Sequence, residues 1–200
     1  MTSSTAAYQP AMAKKSRGPM LIKSTLFGGV ILFAWQFLSW GVLPLRKAVL
    51  QSFSDEDSMS AAIRANASAP GIYILPLVRD MSGASDQAKA AAEKRAAEGP
   101  IVFASVRLGP VRPFAFGLTA QFLTQLVIAF FISIVLLKTN ITTYSSKILF
   151  IATIALLAGI AGHIPNWNWF NFSPGYTALE MTDLLVGWTL AGLAIAKFIH

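Results

Sequence analysis

The sequence predicts a membrane all-α fold: a four-helix transmembrane bundle with a small α/β insert outside the membrane, between its first two helices. Three observations predict it. Four long apolar runs cover residues 20–43, 114–137, 148–164 and 179–199. Only 12% of the residues are charged and 54% are hydrophobic, whereas soluble domains carry about 25% charge. The clear basic flanks also fall on one side of the runs once the chain threads back and forth. A hydrocarbon core about 30 Å thick takes about 20 apolar residues as helix. The run 148–164 is short but within the usual range.

Residues 1–19 read as a cytoplasmic basic tail, with Lys14, Lys15 and Arg17 and no acid. Residues 20–43 are the first span. This span is longer than the apolar region of a cleaved signal, and no clean Ala-x-Ala site follows it. Trp40-Gly41-Val42-Leu43-Pro44 reads as its exit into the interface.

Residues 44–113 are the insert. Ser54 and Asp57 have the Ser-x-x-acid spacing of a capping box. They predict a helix to about Ala67, stopped by Ala69-Pro70-Gly71. Residues 71–75 are a short β run ended by Pro76, and a loop follows from Asp80 to Ser85. Residues 86–98, rich in Ala with Lys, Glu and Arg, predict a strong helix that Gly99-Pro100 terminates. Residues 101–107 are a second strand before Gly109-Pro110. The two strands can pair in parallel across the second helix, or antiparallel through a longer return. A two-stranded sheet is marginal alone, so the insert must lean on its helices, the membrane surface or a partner.

The second span, 114–137, is bulky through Phe122, Phe130, Phe131, Leu136 and Leu137, which suits lipid or a partner. A cytoplasmic loop, 138–147, carries Lys138 and Lys147. After the third span, 148–164, residues 165–178 form an outer aromatic loop with Trp167, Trp169, Phe170 and Phe172. That loop reads as an interfacial anchor, with a ligand or lipid contact as its other reading. Span 179–199 ends the bundle, beside Lys197 and His200.

One face of the membrane thus holds Lys14, Lys15, Arg17, Lys23, Lys138, Lys147 and Lys197 without an acid, whereas the insert mixes nine bases with seven acids. The positive-inside rule then places both termini in the cytoplasm. The expected location is a bacterial inner membrane, with the insert in the periplasm. The net charge of +7 follows largely from that topology and does not point to nucleic acid. With no cysteine, disulfides, thiolate metal sites and thiol nucleophiles are excluded. The insert lacks histidine, a Gly-rich phosphate loop and metal-ligand spacing. No catalytic group, cofactor or metal is expected. The Asn-x-Ser/Thr triplets at Asn66, Asn140 and Asn171 read as chance.

Polar groups in hydrocarbon are costly, so each needs a reason. Glu180 and Asp183 lie three apart on one face of the last span, and Gln121 and Gln125 four apart on the second. Gln36 lies on the first span and His163 ends the third. Similar depth on four helices predicts one polar cluster in the outer half of the bundle. Interhelical hydrogen bonding accounts for such a cluster. A proton or ion site, or a pocket open to the outer face, is the functional alternative. Glu180 and His163 can also simply be exposed at the interface. His163 with two carboxylates makes a metal site only if folding gathers them.

Small residues predict close helix packing. They are Ala152, Ala155, Gly159 and Gly162 on the third span, and Gly187, Ala191, Gly192 and Ala196 on the fourth. The last two spans should form a tight hairpin, and Gly28-Gly29 a further close contact.

Several motifs carry a resemblance: Gly28-Gly29, Phe33-x-Trp35 and Ser39-Trp40; Gly71-Ile-Tyr-x-x-Pro76; and Tyr176, Asp183 and Gly187-Trp188-x-x-Ala191-Gly192-Leu193. Together they resemble a group of uncharacterised bacterial four-helix inner-membrane proteins. The resemblance implies this topology and no activity. The expected role is a non-enzymatic accessory, assembly or partner-binding subunit, with a membrane-protein partner or a second copy of itself. One alternative is a small transporter or ion-conducting protein using Asp183, Glu180, Gln121 and Gln125. Another is an intramembrane lipid-modifying enzyme, which needs Asp183, Glu180 and His163 within hydrogen-bond reach of one another or of one water.

Overall fold

The computed structural model describes residues 17–77 and 82–199. Lys14 and Lys15 of the basic tail, Asp80 of the insert loop and the closing His200 lie outside the described residues. Helix α1 (Arg17–Phe37) runs on as a π-helical turn, Leu38–Val42, and then a 3-10 turn, Pro44–Ala48. The insert follows as α2 (Glu56–Asn66), β1 (Gly71–Leu75), α3 (Asp86–Glu98) and β2 (Val102–Val106). Three long helices complete the chain: α4 (Phe114–Leu137), α5 (Tyr144–Phe170) and α6 (Pro174–Phe198). Among the described residues four helices are long and apolar enough to cross a membrane: Arg17–Val42, Phe114–Leu137, Tyr144–Phe170 and Pro174–Phe198.

Helix α5 extends the short third run at both ends. Thr143 caps its start, its side chain accepting from the Ser146 N–H. Pro165 sits inside the helix, which continues to Phe170 and ends on Asn171 in the left-handed conformation (φ 56°). The expected loop 165–178 is therefore corrected. Residues up to Phe170 are helical, and Pro174 already opens α6. Proline removes one N–H and strains one turn; here the helix passes through it.

In the bundle α1 packs against both α4 and α6, and α6 against both α1 and α5. The core joins Leu32 of α1, Ala129, Ile132 and Leu136 of α4, Ile151 of α5, and Ala191 and Ile195 of α6. Close approach depends on the small residues. A Cβ on Gly28 would lie 2.7 Å from Ile195, and one on Gly29 2.6 Å from Leu126. Gly159 faces Met181, and Gly192 faces Ile151. Ala155, Ala191 and Ala196 are buried, and Ala152 is half-buried. Gly162 departs from the expected stripe. It is exposed, and a side chain there would meet nothing within 4 Å. Gly162 faces open space rather than α6.

In the insert β1 and β2 pair antiparallel, from Gly71 opposite Val106 to Leu75 opposite Val102. Of the two pairings open in the sequence, the longer return is therefore the one taken. The sheet leans on the α5–α6 junction: the ring of Phe103 lies 4.4 Å from that of Phe170 and 6.0 Å from that of Phe172. The aromatic residues expected at the membrane interface thus include two that seat the insert.

The cap of α2 is Asp55 rather than Ser54. Its carboxylate accepts from the Ser58 N–H at 2.9 Å and the Ser58 hydroxyl at 2.6 Å. The Ser58 hydroxyl, then its N–H, holds the Asp55 carboxyl below the usual carboxylate range. A lowered folded-state pKa means stabilisation that is complete above the unfolded value and lost as pH falls through the folded one. Asp55→Asn should keep a cap but lose that pH dependence, whereas Asp55→Ala should fray α2 at neutral pH. Amide exchange at Ser58 and Met59 measures both effects.

Candidate functional site

The site begins where α1 ends. In the π-helical turn the Leu43 N–H donates to the Leu38 carbonyl at 2.9 Å, one residue further back than in an α-helix. Such turns recur at functional sites. Leu43 is extended (φ −74°, ψ 139°), as a residue before proline prefers. Pro44 then starts the short 3-10 turn that carries Arg46 back against the helix it has just left.

The Arg46 side chain is only 7% exposed. One guanidinium nitrogen, Nη1, donates to Ser39 Oγ at 3.0 Å and to the Ser39 carbonyl at 3.4 Å. The other, Nη2, donates to Glu180 Oε1 at 2.9 Å and Asp183 Oδ2 at 3.2 Å. Its carbon lies 3.6 Å from the centre of the Trp40 ring, within cation–π range. Arginine's planar fork suits these simultaneous contacts. The triad ties the segment after α1 to α6 across 134 positions of sequence.

Glu180 and Asp183 project together because residues three apart share a helix face. Asp183 is fixed twice: its backbone carbonyl accepts from Trp35 Nε1 at 3.1 Å, and Oδ2 accepts from Arg46. Its other oxygen, Oδ1, is buried without a hydrogen-bond partner among the described residues. Two carboxylates against one guanidinium leave one surplus negative charge when both are ionised.

Beside the pair is a cavity of about 160 Å³ lined by Gln36, Gln125, His163, Glu180 and Asp183, with Trp35 and Trp188 in its wall. It has room for several waters. Five of the six residues expected to cluster therefore line one space. Gln121 does not; it borders a separate groove with Gln36, Phe33, Phe37 and Trp40. One turn from Gln125, it has moved past the cavity. Among the described residues no hydrogen bond joins His163 to either carboxylate, and no three His, Cys, Asp or Glu gather to hold a metal ion. The Arg46 ion pairs and the hydrogen bond from Trp35 to the Asp183 carbonyl connect the elements here.

Arg46, Ser39 and Trp35 were not expected in the site. One sequence signal points to Arg46: a buried acid pair calls for a cation, and this arginine follows the span's exit by two residues after Pro44. No protein-family model, curated protein or solved structure matches the chain.

Proposed function

We propose that the chain is a multi-pass integral membrane protein that binds a proton or alkali cation at Glu180 and Asp183, and that this site is the coupling or conducting station of a small transporter. The carrying observation is the buried, unpartnered Asp183 Oδ1 beside a polar cavity. Charges inside hydrocarbon face water-filled cavities and mark ion or proton paths. The membrane reading is supported by helices whose most apolar stretches are only 17–28% buried within the protein, which leaves apolar surface for lipid. The proposed orientation remains N-terminus and C-terminus cytoplasmic, in a bacterial inner membrane.

The test is flux. In sealed vesicles with an imposed gradient, the wild-type chain should move protons or alkali cations. Asp183→Asn removes the surplus charge and keeps an oxygen for Arg46. It should slow flux by on the order of tenfold, equivalent to about 1.4 kcal/mol. Equal flux in both proteins would refute the proposal.

A second reading, a partner-binding accessory subunit, is favoured by a different observation. The insert leaves Phe53, Ile72, Leu75 and Leu77 exposed. A stoichiometric companion in mild-detergent purification would support it.

A further inference from the structure

At the end of the bundle away from the insert, Lys147 is 5% exposed, and no acid among the described residues matches its charge. Its ammonium donates to the Ile199 carbonyl at 2.8 Å. Among the described residues it forms no ion pair. Burying an unpaired charge is unfavourable. The placement adds to the problem, because Lys147 lies in the first turn of α5 (Tyr144–Phe170). The N–H groups at a helix N-terminus carry partial positive charge and disfavour a cation. Two positive features therefore meet with no carboxylate of the described residues between them.

The same place is a cavity of about 440 Å³, lined by Lys147, Arg17, Thr139, Asn140 and Thr142 on its polar side. Met20, Leu136 and Leu137 form an apolar wall. Among the described residues no acidic side chain lines it. Two cations, uncharged hydrogen-bonding groups and the start of a helix match the chemistry of a phosphate anion. The apolar wall matches the root of an acyl chain. Basic pockets between transmembrane helices on the cytoplasmic side take anionic lipid headgroups.

We infer that this cavity binds the phosphate of an anionic phospholipid, with Lys147 and Arg17 as its charged contacts. This rests on the membrane reading, which alkaline carbonate extraction checks separately: release of the chain into the supernatant would sink that reading itself.

The experiment is native mass spectrometry of the delipidated, detergent-purified chain, titrated with phosphatidylglycerol, phosphatidylcholine or inorganic phosphate. Phosphatidylglycerol should bind in preference to phosphatidylcholine. Each charge removed, by Arg17→Gln or Lys147→Gln, should weaken that binding roughly fivefold. Arg17 is exposed, so Arg17→Gln tests the site even if Lys147→Gln does not fold. Three results would overturn the inference: equal binding of the two lipids, selectivity that survives Arg17→Gln unchanged, or inorganic phosphate displacing the lipid at equal concentration. The last would assign the site to free phosphate.

Discussion

Arg46→Ala is expected to destabilise the folded bundle by about 3–5 kcal/mol, the loss seen when one partner of a buried ion pair is removed. The substitution strips Glu180 and Asp183 of their shared cation. It also strips Ser39 of its donor and Trp40 of the guanidinium stacked on it. The α1 exit would then lose its ionic tie to α6. Arg46→Lys should rescue only in part, because a point charge cannot reproduce the guanidinium fork. Arg46→Met combined with Glu180→Gln and Asp183→Asn should recover much of the loss, because no uncompensated charge remains. Reversible unfolding in mixed micelles measures all three variants. Arg46→Ala as stable as wild type would show that the triad holds nothing together.

Gly187→Ala carries the second large effect, about 1–3 kcal/mol, the usual cost of overpacking a core. A Cβ there would lie 2.7 Å from Cδ1 of Trp35. That indole cannot swing aside freely, because its Nε1 donates to the Asp183 carbonyl. The added methyl should push Trp35 off Asp183 and disturb the cavity wall that Trp35 and Gly187 share. Near-ultraviolet circular dichroism should change along with the unfolding midpoint. Gly162→Ala is the control: open space surrounds that position, so it should be neutral or gain up to about 1 kcal/mol from helix propensity. Equal losses at the two glycines would contradict this packing.

Local signals made much of the fold legible. Length and hydropathy placed the helices, and Gly99-Pro100 marked the end of α3, whose last residue is Glu98. Gly28, Gly29, Gly187 and Gly192 each lie against a neighbouring helix. The boundary of α5 was hidden because Pro165 resembles a stop signal, yet the helix runs five residues past it. Strand pairing in the insert was hidden because five-residue strands carry no register of their own.

The site was half legible for a similar reason. Gln125, Glu180 and Asp183 stand out as polar residues in apolar helices. Arg46 does not, since it sits among the charges of a segment that reads as solvated. Only the fold brings it to α6.

The most direct test of the cation-binding account is an infrared difference spectrum of the protein in bilayers, recorded across a pH or salt jump. The account predicts a carboxyl signal that responds to protons or alkali cations and disappears in Asp183→Asn. A spectrum without such a signal, or one unchanged by that substitution, would contradict it.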